Sequence, residues 1–278
     1  MRGLINAMTV AWILGTLLAR PALADETPLA TLYTARLIPA GEAEIGQLMR
    51  FRAGKPHESF AALESQSEIE YGAAPDLQLA GYLNYTWQRE HLGATPAHSG
   101  LSFTNASLEA IWQLADPATQ PLGLALYLEP AYGPDHRELE EKVILQKNLF
   151  DQRLVLATNI ALEQEWNRGA GNWQKNSELR LLLGAAWRLT PKWSVGTEFE
   201  AKREYDGLLI WQKSAPAADS FFLGPTLQYD SGEYSITLGM QAQLPFAANL
   251  SGDPGETVGG FAHEEERYRV QLNIECDL

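Results

Sequence analysis

The sequence predicts an all-β chain, a transmembrane up-and-down antiparallel β-barrel of about 12 strands. Three observations predict it. Segments of alternating apolar and polar residues recur along the chain, and alternate residues of a strand face opposite sides. The connections between these segments run short, then long, through most of the chain. Aromatic residues gather at both ends of the apolar faces, as interfacial girdles do.

Residues 1–24 read as a secretory signal peptide. Arg2 gives a positive start, Gly3 to Ala19 is almost wholly apolar, and Ala22-Leu23-Ala24 places small residues before Asp25. Cleavage is expected near Ala24, and the absence of a following Cys argues against a lipoprotein. Residues 25–42 are expected to be a periplasmic N-terminal segment, with a lumen plug and an extra edge segment as alternatives. The barrel is expected over 43–278. No later stretch approaches the ~20 apolar residues of a spanning helix.

Strands are expected at 43–52, 60–71, 77–88, 101–114, 122–132, 138–149, 154–166, 177–189, 193–203, 220–229, 234–244 and 265–278. The clearest is 193–203, where Trp193, Val195, Thr197, Phe199 and Ala201 alternate with Ser194, Gly196, Glu198, Glu200 and Lys202. Ser107 to Leu114 and Glu178 to Leu189 also fit a helical period over short windows, but they abut short turns. Short connections are read at 72–76, 115–121, 150–153, 190–192 and 230–233. Outer connections are read at 53–59, 89–100, 133–137, 167–176, 204–219 and 245–264. An even strand count in this register puts both termini on the periplasmic side.

The girdle residues are Tyr71, Trp112, Trp187, Trp193, Tyr229 and Tyr234 at the turn ends, with Trp87 and Trp166 at the opposite ends. Phe103 and Trp112 fall on opposite parities of one strand, which calls for a β-bulge or a revised strand boundary.

With the apolar parity toward lipid, the other parity lines a lumen. It carries Glu44, Arg50, Arg52, Glu68, Glu70, Glu109 and Glu129 in the first half. Glu163, Glu165, Glu178, Arg180, Arg188, Glu198, Glu200, Lys202, Arg267, Arg269 and Glu275 follow. An interior of mixed charge needs water or opposite charge. The two readings are an aqueous path biased toward cations, and an inner wall cross-linked by ion pairs.

The net charge of −14 excludes nucleic acid as a partner and docking onto anionic lipid through basic clusters. The lone Cys276 forms no intramolecular disulfide and no Cys-based zinc site. All five histidines, His57, His91, His98, His136 and His263, fall in the segments read as outer loops. With no His-x-x-x-His spacing, no metal site and no cofactor are expected. No Gly-x-Ser-x-Gly motif occurs and no His stands on a strand, so no catalytic residue is assigned.

Glu68 to Tyr85 (EIEYGAAPDLQLAGYLNY) and Leu183 to Ala201 (LGAAWRLTPKWSVGTEFEA) resemble hairpins of outer-membrane transporters of the phenol-degradation meta-pathway type and related barrel families. The resemblance covers most of the mature chain as a pattern. It implies a transporter-like barrel for small molecules, hydrophobic ones among them, with outer-membrane lipid as its surroundings, and it carries over no catalytic residue. The alternatives are a non-conducting structural barrel, an outer-membrane enzyme and a soluble ligand-binding barrel. The final strand holds its lipid-facing parity through Tyr268, Val270, Leu272, Ile274, Cys276 and Leu278, but closes on leucine where such barrels usually have an aromatic residue.

Overall fold

The computed structural model of the chain describes residues 27–55, 59–91, 98–169, 171–210, 214–253, 256–263 and 265–278. The expected signal peptide and His57 lie outside these residues. None of the described residues is helical.

Twelve long strands form the barrel: β1 (Ala43–Ala53), β2 (Ser59–Ala74), β3 (Leu77–His91), β4 (His98–Ala115), β5 (Gly123–Tyr132), β6 (His136–Leu149), β7 (Leu154–Gly169), β8 (Asn172–Thr190), β9 (Trp193–Asp206), β10 (Ala215–Asp230), β11 (Tyr234–Gln243) and β12 (Tyr268–Asp277). Each pairs antiparallel with its sequence neighbours, and β12 pairs with both β11 and β1, so no edge is left open. Closure leaves every strand with a hydrogen-bonding neighbour on each side, which is what permits strands to cross a bilayer. The two segments that also fitted a helical period are strands within β4 and β8.

The strands differ from expectation mostly at the ends away from the termini. There β8 begins at Asn172, and β7 runs to Gly169, so the expected 167–176 loop is mostly strand. At the other end Leu278 N–H donates to the Ala43 carbonyl, and Asp277 N–H to that of Glu233, placing the C-terminus beside the short turns. In β12 the strand begins at Tyr268 rather than residue 265, because Glu265 and Glu266 turn into the lumen. His136 is the first residue of β6, and His91 and His98 end β3 and begin β4; the expectation that every histidine lies in a loop fails for these three.

Side-chain parity divides the wall cleanly. On β3, Leu83 is 49% exposed toward the lipid side while its neighbour Tyr82 is 3% exposed and faces inward. Tyr71, Trp112, Trp187, Trp193 and Tyr234 are all exposed on the outer surface. At the turn end the Tyr229 ring lies 4.9 Å from Trp193 and 6.0 Å from Tyr234. Trp87 and Trp166 stand half-buried near the opposite end.

Of the bulge and the revised boundary, the bulge is present. Asn84 pairs with Asn105 and Tyr85 with Phe103, so Thr104 is the extra residue of β4. It turns Phe103 and Trp112 to the same outer surface, both exposed.

Residues 27–38, for which a periplasmic segment, a lumen plug and an edge segment were the readings, lie inside the barrel: Leu29, Leu32, Ala35, Leu37 and Ile38 are all buried. Leu29 and Leu32 pack on Ala157, Ala161, Leu182 and Ala186 of β7 and β8. Ala35 and Leu37 pack on Ile111, Ala125, Tyr127 and Ile144. The wall is thinned to receive it: a Cβ added at Gly184 would come within 2.7 Å of Leu29 Cδ1. Apolar residues spaced through a polar leader had no visible partner in the sequence, because that partner is assembled from five inner-wall strands.

Candidate functional site

The site is the lumen. An extended chain inside a barrel brings peptide groups that need partners, and an unmet buried N–H or C=O is costly. The wall supplies them from side chains. Thr31 N–H donates to Glu198 Oε1 at 2.9 Å, and Ala35 N–H to Gln146 Oε1 at 2.8 Å. Ile38 N–H donates to Gln78 Oε1 at 2.9 Å, and Gln113 Nε2 donates to the Ala35 carbonyl at 2.6 Å. The Ala30 carbonyl accepts from Gln271 and from Asn273, the latter at 3.1 Å. Amide side chains on four strands, with the Glu198 carboxylate on a fifth, thus replace a neighbouring β-strand.

What the segment leaves open is a cavity of about 510 Å³. It reaches from His136, at the end of the barrel away from the termini, to Glu44 and Glu275 near the turn end. Glu68, Glu70, Glu129, Glu163, Glu165, Glu178 and Glu200 line it, with Arg50, Arg52, Arg180, Lys202 and Arg269.

Charge is not spread evenly over this wall. Toward the outer end lies a dense ion-pair network. The Lys202 ammonium contacts Glu178 at 2.8 Å, Glu204 at 3.0 Å and Glu265. Arg269 holds Glu200 at 3.1 Å, Glu265 at 2.8 Å and Glu266. Its guanidinium also stands 3.5 Å from the Phe222 ring centroid. Arg52 joins Glu266 at 3.1 Å to Glu64 at 2.7 Å. These contacts draw the end of the connection after β11 down into the mouth. Glu265 lies outside the spanning strands: burial alone would raise its pKa, but Lys202 and Arg269 outweigh that and hold it well below the usual carboxylate range.

Midway, Arg180 bridges Glu140 and Glu163, and Lys142 contacts Glu140 at 2.7 Å. The Lys142 ammonium also sits 4.1 Å from the Tyr33 ring centroid and 3.8 Å from that of Tyr127, tying the inserted segment to the wall by cation–π contact. Tyr127 O–H donates to Glu129, and Tyr82 O–H to Glu109 at 2.5 Å.

Toward the turn end the wall becomes acidic. The register sets Glu44 beside Glu70, and Gly46 between Glu68 and Glu275. No lysine or arginine pairs with these four carboxylates among the described residues. Their contacts are neutral: Gln78 Nε2 donates to Glu70 at 3.1 Å, and Ser235 O–H to Glu275 at 3.0 Å.

Four expected lumen residues lie elsewhere than on the cavity surface. Glu109 and Glu198 are inside the barrel but fully buried, one under Tyr82 and the other under the inserted segment. Arg188 is exposed at the turn end, beside a shallow pocket that it shares with Arg36 and Arg153. Arg267 precedes β12, and its guanidinium lies 4.4 Å from the Phe261 ring centroid. The sequence reading also missed Glu138, Glu140 and Lys142 of β6, where both parities carry charge. Antiparallel pairing with β7 would have found them, since Glu140 lies opposite Glu163. Glu265 and Glu266 were beyond reach of parity because they belong to no strand.

An apolar outer belt, aromatic girdles and a polar interior are what an outer-membrane barrel requires, and they place the chain in the outer membrane of a Gram-negative-type envelope. The fold agrees with solved barrels. The COG4313 outer membrane channel from Pseudomonas putida F1 superposes with a TM-score of 0.57 at 10% identity, covering 87% of this chain and 97% of that one. The β domain of the Bordetella autotransporter BrkA gives 0.55 at 9% identity, covering 86% and 100%. The NanC porin gives 0.52 at 10% identity, covering 84% and 100%. No curated protein sequence matches the chain. Residues 21–276 match the pattern of DUF6662, a family of unknown function, and the chain belongs to that family.

Proposed function

We propose that the protein is a passive outer-membrane channel or uptake protein for small molecules, its path narrowed by residues 27–38. The observation that carries this reading is the cavity of about 510 Å³, which runs most of the barrel's height and is lined by ionisable side chains. A charged wall of that extent is stable only in contact with water or with opposite charge. The turn-end carboxylates lack opposite charge among the described residues, so water is their support. Twelve strands lie between the filled eight-stranded barrels and the open porins of about sixteen or more, which suits a narrow path. The COG4313 channel and the NanC porin share this fold, and their names favour the same reading.

The second reading is a non-conducting barrel closed by its own N-terminal segment. The side-chain hydrogen bonds to Thr31, Tyr33, Ala35 and Ile38 favour it, because they make the segment a bound part of the wall. Planar-bilayer recording of the purified protein separates the two. Discrete channel events are expected from the intact chain, with larger ones after deletion of 27–38. A folded barrel silent in both forms would reject the channel. Catalysis is not part of the proposal, and among the described residues no serine is hydrogen-bonded to His136, which lines the lumen.

A further inference from the structure

The inner wall balances its charges along β6 and β7 except at one level. Antiparallel register sets Glu140 opposite Glu163, and Glu138 opposite Glu165. Arg180 and Lys142 neutralise the first pair. No lysine or arginine meets the second pair among the described residues. Arg137, the residue between His136 and Glu138, points the other way, stacked 4.7 Å from the Tyr132 ring centroid and 4.6 Å from that of Trp173. Like charges directly opposite one another destabilise an antiparallel pair. The basic group at hand is His136, whose Nε2 lies 3.1 Å from Glu138 Oε2. Ligand atoms of His136, Glu138 and Glu165 all come within 4.8 Å of one another.

Asn167 reveals where the protons are. Its Nδ2 donates to Glu165 Oε2 at 2.9 Å, so its Oδ1 is the atom that meets His136 Nδ1 at 2.7 Å. An amide oxygen only accepts, so Nδ1 carries hydrogen. In the neutral ring Nε2 is therefore a lone pair, facing a carboxylate oxygen that is also an acceptor. Two acceptors at this distance need a positive centre between them, either a proton or a metal ion. A proton on Nε2 bonds Glu138 alone and reaches Glu165 only through space, with no direct contact. A divalent ion serves all three groups at once. Metal-ligating histidines also characteristically donate their second N–H to an oxygen, and Asn167 provides this while orienting Glu165.

We propose that His136, Glu138 and Glu165 form a divalent metal site of the zinc class at the outer end of the lumen, completed by water. One imidazole and two carboxylates suit zinc; calcium takes about six to eight oxygens, which this wall does not gather here. The acidic group Glu178, Glu204 and Glu265 is no rival, since the Lys202 ammonium already contacts all three. The site does not depend on whether the barrel conducts.

The test is calorimetric titration of the metal-stripped full barrel in detergent with zinc chloride, with calcium chloride alongside. One zinc per chain is expected, undisturbed by calcium. His136→Ala and Glu165→Gln should each weaken zinc at least tenfold, and Asn167→Ala about tenfold through lost orientation. Glu204→Gln should leave zinc affinity at the wild-type level. Heat-modifiable gel migration reports folding of each variant, and Glu165→Gln, which keeps the side-chain shape, serves if His136→Ala misfolds. X-ray absorption of the zinc-loaded protein should show nitrogen and oxygen ligands without sulfur. Absence of zinc binding by the wild type, or full retention in folded Glu165→Gln, overturns the proposal.

Discussion

The side chain of Asn159 holds the peptide of Tyr33 on both of its polar sides. Tyr33 N–H donates to Asn159 Oδ1 at 2.8 Å, and Asn159 Nδ2 donates to the Tyr33 carbonyl at 2.9 Å. Asn159 is 1% exposed, so its own amide has no water as a substitute for the segment. One wall residue thus offers the inserted segment the two bonds that a neighbouring strand would.

Asn159→Ala removes both bonds and leaves two buried peptide groups unmet, at about 1–3 kcal/mol each. The barrel ladder does not involve this side chain, so the barrel should fold while the segment loosens. Larger and noisier single-channel conductance is expected than from the wild type. Unchanged conductance in the folded variant would mean that residues 27–38 do not limit the path.

Gly133 faces the bulge in β4. A Cβ there would overlap the Thr104 carbonyl oxygen, which the extra residue pushes toward β5. That oxygen is backbone and has no rotamer to move to. Gly133→Ala should therefore cost about 1–3 kcal/mol, as overpacking does. Urea unfolding of the detergent-folded barrel, read by tryptophan fluorescence, checks this. Deleting Thr104 together with Gly133→Ala should relieve the overlap but turn Phe103 inward.

That bulge shows what period-2 reasoning can reach. Phe103 and Trp112 could both meet lipid only if one residue between them was extra, and the parity conflict is visible in the letters alone. Strand identity, closure and the lipid-facing set were legible for the same reason, because one face of every strand answers to one solvent. The partners of the inserted segment were not legible. Leu29, Leu32 and Ala35 carry no period that names their partners, and the amides that bind them are scattered from Gln78 to Gln271. The His136 cluster was missed for a related reason: His136 and Glu165 meet across a register that only the β6–β7 turn sets.

The connection before β12 should stay docked far into acid. Glu265 has its folded pKa depressed: burial opposes ionisation, but Lys202 and Arg269 prevail. Glu266 is depressed too, burial again being outweighed by Arg269, with Arg52 beside it. A depressed carboxylate contributes stability above its unfolded pKa, near 4.3, and loses it as pH falls through the folded value. Docking should therefore hold at neutral pH and down to about pH 4, weakening only below that. Glu265→Gln should release the connection at neutral pH, by about 3–5 kcal/mol of lost buried pairing. Limited proteolysis within 244–263 across a pH series reads both effects. Early cleavage of the wild type at pH 5 would contradict the assignment.

Glu44, Glu68, Glu70 and Glu275, where ionised, would give the lumen a direction of charge. They stand together near the turn end, without lysine or arginine partners among the described residues. Any ion crossing the barrel must pass this level, where a narrow low-dielectric wall concentrates their field. Cations should be favoured over anions, most strongly at low ionic strength, since the Debye length falls from ~30 Å at 0.01 M salt to ~3 Å at 1 M. Reversal potentials in a potassium chloride gradient measure the preference. Glu68→Gln with Glu70→Gln should move the reversal potential toward zero while conductance at 1 M salt changes little. A wild-type preference for chloride would show that the lumen arginines beyond the turn end govern passage, and would shift the selective level to Arg50, Arg180 and Arg269.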